Sequence, residues 1–170
     1  MTTTEQTLTG EHTELLEALD KHRHFLRYTV QGLTDEQAAL TPTASQLCLG
    51  GLIKHVTRAE SGWYDFAVAG PEAHSGQDIE GHIASFRMEP GETLAGLLAA
   101  YEEAARRTDE LVASGVDLDK SWPLPEAPWF KPGASWSIRR VLMHVIAETA
   151  QHAGHADIIR ETIDGQKSMG

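Results

Sequence analysis

The chain has 170 residues, 41% of them hydrophobic, with 25 acidic residues against 14 basic ones and a formal net charge of −11. That length buries a full core without staples, and no apolar run approaches the ~20 residues of a membrane span. Acidity of this degree repels phosphate backbones and excludes nucleic acid as an expected partner. One cysteine, Cys48, rules out an internal disulfide. With no basic, apolar leader at the N-terminus, it predicts a cytoplasmic protein. A single domain over residues 1–170 is expected.

Helical periodicity first appears from about Thr9 to Gln31, where Leu15, Leu19, His22, Leu26 and Val30 recur at three- and four-residue steps. Gly32 ends it. Thr34-Asp35-Glu36-Gln37 resembles a capping box that opens a short turn before Pro42. A second helix is predicted from about Ser45 to Val68, with Leu49, Leu52, Val56, Ala59, Trp63 and Phe66 on its apolar face and Gly70-Pro71 as its stop. Residues 71–91 read as a long loop, with a short strand-like piece around His82-Ile83-Ala84-Ser85-Phe86. The third helix spans about Glu92 to Ala113 on a stripe of Leu94, Leu97, Leu98, Tyr101, Ala105, Thr108 and Leu111.

Residues 114–136 hold the longest run of breakers. Trp122-Pro123-Leu124-Pro125-Glu126-Ala127-Pro128-Trp129-Phe130-Lys131-Pro132-Gly133 cannot be a helix interior. Loops this long are usually functional or disordered, and the aromatics oppose disorder. The last helix is predicted from an N-cap at Ser137 to about Ile163, closed by Gly165. No segment shows convincing strand alternation. Four amphipathic helices with long connections predict an all-α four-helix bundle.

In the last helix Glu148 and His152 stand four residues apart, on one face, among Val145, Thr149 and Ala156. A carboxylate and imidazoles on a core-facing stripe are costly to bury unless something binds them. A His from another helix, with His55 the candidate, completes a facial set that leaves positions open for water or substrate. Such a set fits catalytic zinc and equally the two-His-one-carboxylate site of non-haem iron. An exposed helix pair is the plain alternative, worth a few tenths of a kcal/mol. His144 competes for Glu148 at the same spacing. His155 has three readings: ligand, orienter of a ligand, or proton shuttle. His12, His22, His24, His74 and His82 read as surface or rim residues, His22 being the nearest to an exception. Cys48 reads as a small buried hydrophobe. Trp122, Trp129 and Phe130 are candidates to wall a pocket, with anchoring of the loop as the competing role.

Two segments carry a family resemblance. Gly50-Gly51-Leu52-Ile53-Lys54-His55-Val56, paired with the stretch from Ser135-Trp136-Ser137 through His144-Val145-Ile146-Ala147-Glu148-Thr149-Ala150-Gln151-His152-Ala153-Gly154-His155-Ala156-Asp157, resembles the DinB superfamily in its DUF664-type branch. The resemblance covers nearly the whole chain. It implies up-down-down-up bundle connectivity and a divalent metal held by His55, Glu148 and His152; His155, from its place on the same stripe, is the candidate supporting or proton-handling group. The metal is expected to be zinc, with nickel, iron or manganese as alternatives. The His-Glu-His order is similar to that of the mycothiol-dependent maleylpyruvate isomerase branch. Relatives of this kind use low-molecular-weight thiols, so the resemblance implies a metal-dependent transferase that conjugates a mycothiol-like thiol to a small electrophile. Metal-assisted hydrolysis, or a non-enzymatic stress-related metal-binding protein, are the alternatives. It also implies a homodimer and no role for DNA or membrane.

Overall fold

The computed structural model describes residues 8–73 and 78–169. Each long helix opens on a side chain that accepts an otherwise orphaned N-terminal amide. Thr9 accepts from His12 at the head of α1 (Gly10–Tyr28), and Cys48 Sγ from Gly51 at the head of α3 (Leu49–Ala69). Thr93 accepts from Gly96 before α5 (Leu94–Ala113), and Ser137 from Arg140 before α6 (Ile138–Asp164). The predicted capping box at Thr34 opens the single turn α2 (Asp35–Ala38). The cap at Cys48 starts α3 four residues later than the apolar pattern suggests. The thiol is buried, as expected, but it does more than fill space.

Helix α1 packs on α6 and α5, and α3 packs on α5 and α6. Two apolar clusters result. One gathers Leu26, Leu49, Leu52, Ile53, Val56, Tyr101, Ala153 and Ala156. The other gathers Leu19, Trp63, Phe66, Val112, Ile138, Val141, Leu142 and Val145. On every long helix the boundary between the clusters is occupied by buried polar groups: Arg23 on α1, His55 and Glu60 on α3, Thr108 on α5, Thr149 and His152 on α6. The chain is thus a helical protein whose interior has a polar layer between two apolar ones.

Within that layer Arg23 is buried and its guanidinium grips Glu60, with Nε 3.3 Å from Oε2 and Nη2 on Oε1. Its third nitrogen reaches Asp109 at 2.7 Å. Arg23 lies on the stripe where periodicity pointed to His22, which is only half-buried. Arg160 closes the far end of α1 by donating to the Thr29 and Gln31 carbonyls at 2.8 and 2.9 Å. His12, expected at the surface, is buried: its ring bonds Thr9 Oγ1 at 2.7 Å and the Val116 carbonyl at 2.9 Å.

Two further expectations are corrected. Residues 79–85 form a helix, α4 (Ile79–Ser85), where a loop with a strand-like piece was predicted. Asp78 caps it by accepting from Gly81 at 3.0 Å. The apparent alternation arises because only one side of this short helix meets α3, leaving Ile79 and Ile83 exposed and Ser85 buried. The breaker region also contains strands. Ser121–Pro123 (β1) and Ser135–Ser137 (β2) pair antiparallel with Trp122 opposite Trp136. Three residues per strand are too few for alternation to register.

The segment after α4 lies directly on α3 because Gly50 and Gly51 carry no side chain. A Cβ on Gly51 would overlap the Phe86 carbonyl, and one on Gly50 would press on Met88 Sδ. This close approach seats Phe86 flat against His55, with ring centroids 3.8 Å apart. No helix among the described residues is long and apolar enough to cross a membrane.

Removing one partner of a buried ion pair leaves the other charge without compensation, a loss of about 3–5 kcal/mol. The substitution Arg23→Ala, which strips the fully buried Glu60 of its guanidinium, should therefore lower unfolding free energy by roughly that amount in urea titration. A loss below about 1 kcal/mol would show that the pair is not sealed from water.

Candidate metal centre

His55 comes from the middle of α3, and Glu148 and His152 from successive turns of α6, where the two helices pack. One oxygen of Glu148, Oε1, lies 3.1 Å from His55 Nε2 and 3.3 Å from His152 Nε2. One ligand atom from each residue falls within 4.8 Å of the other two. Both histidines are buried and the carboxylate is half-buried. The contacts from His152 and His55 hold the Glu148 carboxyl well below the usual carboxylate range. Burial pushes the His55 imidazole below its ordinary value.

Hydrogen bonding around His55 decides which of its nitrogens carries a proton. The Ser85 hydroxyl donates to the His82 carbonyl at 2.6 Å, so its oxygen is left to accept. His55 Nδ1 sits 3.0 Å from that oxygen and is therefore the N–H donor. In the neutral ring Nε2 then presents a lone pair to an ionised carboxylate oxygen. Two acceptors at 3.1 Å need a cation between them. A proton on Nε2 is opposed by burial. A divalent ion, accepting electron pairs from two neutral imidazoles and one carboxylate, resolves the conflict, and the donor set suits one. On the other side of the cluster His155 Nδ1 meets His152 Nδ1 at 3.3 Å, where one nitrogen must donate to the other.

A cavity of about 600 Å³ opens beside the cluster, and both His55 and Glu148 line it. That size lies within the ~300–1,000 Å³ of small-molecule clefts. Ala59 and Trp63 of α3, Ile79 and His82 of α4, His144 of α6 and the turn Pro125–Phe130 complete its wall, with Arg58 beside them.

The family model described as Mycothiol-S-transferase matches residues 14–165. The chain belongs to that family. No curated protein matches it.

For a member of the Mycothiol-S-transferase family, the placement of the predicted residues is informative. His55, Glu148 and His152 come together, and His155 backs His152. His144 turns the other way along α6. Its ring lies between Trp63 and Trp136, at 5.0 and 5.2 Å, on the cavity wall. Trp129 and Phe130 line the cavity, as proposed for them. Trp122 does not line it: its indole donates to the Ala67 carbonyl at 3.0 Å and packs on Gly70, so it anchors the hairpin to α3. His82 is exposed, in keeping with its reading as a surface or rim residue, but it has a neighbour at the site. It lines the cavity with its ring edge-on to His55 at 5.2 Å. His74 lies outside the described residues. Sequence reasoning missed Ser85 and Phe86, the two side chains that fix the His55 ring. The signal available is Asp78 directly before Ile79-Glu80, an N-cap residue ahead of an acidic first turn.

The hydrogen bond to Ser85 carries a spectroscopic expectation. In metal-free protein at neutral pH, ¹⁵N-edited NMR should find the His55 proton on Nδ1, and Ser85→Ala should redistribute it. A proton resident on Nε2 in both proteins would remove the lone-pair conflict.

Proposed function

We propose that this chain is a metal-dependent S-transferase that joins the thiol of mycothiol to an electrophilic small molecule. The observation that carries the reading is the convergence of His55 Nε2 and His152 Nε2 on one Glu148 oxygen at the wall of a cavity large enough for both reactants. Membership of the Mycothiol-S-transferase family supplies the thiol. The protein's own thiol is engaged elsewhere, since Cys48 Sγ is buried and caps α3.

His55, Glu148 and His152 are the proposed ligands, and zinc the proposed ion. A divalent ion held there supplies Lewis acidity that keeps a thiol deprotonated at neutral pH. The residues do the remainder. Ser85 and Phe86 hold the His55 ring so that Nε2 faces the site, and His155 orients His152; such supporting bonds typically change metal affinity ten- to hundredfold. The aromatic wall keeps water away from the reacting centres. In the transfer, the sulfur electron pair forms the S–C bond, the displaced group leaves with the pair from the bond it breaks, and the thiol proton is released to solvent. The ring of helix contacts α1–α6–α3–α5–α1 supports the finer fold reading, an up-down-down-up four-helix bundle forming one domain.

Two measurements test the proposal. Elemental analysis of the purified protein should find one divalent ion per chain, and His55→Ala should lose it. Metal-loaded protein mixed with mycothiol and a chloroarene electrophile should form the thioether faster than the uncatalysed reaction. Absence of any rate above background would sink S-transfer. Electrophile consumption that does not depend on thiol would favour metal-assisted hydrolysis.

A further inference from the structure

The cavity beside the metal centre has two unlike halves. The inner half holds His55, Glu148 and His144. The outer half is the turn after β1, and its most prominent side chain is Trp129. That indole is 69% exposed although it lines the cavity. Leaving so large an apolar surface in water is unfavourable, and aromatic side chains with one wet face are typical of binding sites.

Trp129 is not loose. Pro125 and Pro128 restrict the backbone on its N-terminal side. Phe130 N–H donates to the Ala127 carbonyl at 3.1 Å, Ala134 N–H to Lys131 at 3.0 Å, and Leu124 N–H to Ala134 at 2.9 Å. Its neighbour Phe130 is wedged against Trp136 and Trp63, with centroids at 5.6 and 6.4 Å. The ring is therefore displayed on a braced turn, and a continuous aromatic series, Trp129, Phe130, Trp63 and His144, runs from the mouth inward.

The charges around this wall are mixed. Arg58 lines the cavity, but it lies close to Asp78, and Glu126 and Glu148 line the same space. An anionic ligand would meet two carboxylates there. A neutral polyol would not be repelled, and it would find both donors and acceptors for its hydroxyl groups in Arg58 and Glu126. The C–H face of a six-membered polyol ring is flat and apolar enough to lie on an indole, while its hydroxyl edge reaches polar neighbours.

We infer that Trp129, flanked by Glu126 and Arg58, forms a carbohydrate subsite for the glucosaminyl-inositol part of mycothiol. This inference rests on the S-transfer reading for the identity of the sugar, but it concerns a separate part of the cavity. The cysteinyl arm of the same molecule then extends from the mouth toward His55 and Glu148. The inner half is left for the electrophile.

The test uses the full-length protein and a neutral, thiol-free probe, N-acetylglucosaminyl-inositol, in which the amine is amidated as in mycothiol, titrated by calorimetry. Wild type should bind it. Trp129→Ala should weaken binding roughly tenfold, the equivalent of one lost stacking contact, and Trp129→Tyr should retain most of it. In turnover, the kcat/KM ratio for mycothiol over N-acetylcysteine should fall by a similar factor in Trp129→Ala, with the loss carried by KM of mycothiol. No binding of the probe by wild type, equal binding by Trp129→Ala, or an equal loss with both thiols would overturn the subsite. Its failure is distinguishable from failure of S-transfer. If the probe binds through Trp129 but no thiol is turned over, the subsite stands and the transferase reading falls. If thiols are turned over but the probe never binds, the reverse holds.

Discussion

One carboxylate oxygen faces two imidazole nitrogens across the packing of α3 on α6, and much of the chain is arranged to hold it there. Left alone, His55 Nε2 and Glu148 Oε1 would turn apart, because each offers electrons to the other. They are kept at 3.1 Å by bonds made on their far sides: His55 Nδ1 to Ser85, the His55 ring face to Phe86, His152 Nδ1 to His155. The segment that supplies Ser85 and Phe86 lies in turn over Gly50 and Gly51. A helix with any other residue at 51 would push that segment away and release the His55 ring.

The helices were legible because their signals are local. The apolar stripes, the caps at Ser137 and Thr34, and the stops at Gly32, Gly70 and Gly165 are written in consecutive residues, and the boundaries agree within a few positions. The pair Glu148/His152 was legible for the same reason, since four-residue spacing on an apolar stripe is a one-helix property. What escaped were features whose cause lies elsewhere in the chain. Arg23 looks like a surface residue until Glu60 and Asp109, 37 and 86 positions away, are brought to it. His12 looks exposed until Val116 arrives. Helix α4 looks irregular because its outward residues are apolar and its inward ones, Ser85 above all, are polar. That reversal of the usual pattern occurs where a short helix serves a polar site.

The hairpin after α5 shows a related division of labour. Trp122 and Trp136 face each other across the strands, and Trp122 is tied to α3 through the Ala67 carbonyl. Those two residues fix the hairpin's base. The turn beyond them then presents Trp129 at the cavity, while Phe130 both lines the cavity and packs on the cluster around Trp63. A proline-rich stretch that looked like a single functional loop is really an anchor followed by a display platform.

The position of Glu60 relative to His55 has a consequence of its own. Five residues on one helix place the two side chains roughly 140° apart around its axis. One is locked to Arg23 and the other is aimed at Glu148. Helix α3 is therefore keyed at two bearings, like a shaft held by two pins. It cannot rotate about its own axis to relieve the pressure at one without shearing the other. The interior ion pair, which touches no ligand, thereby sets the angular reference from which His55 reaches the site.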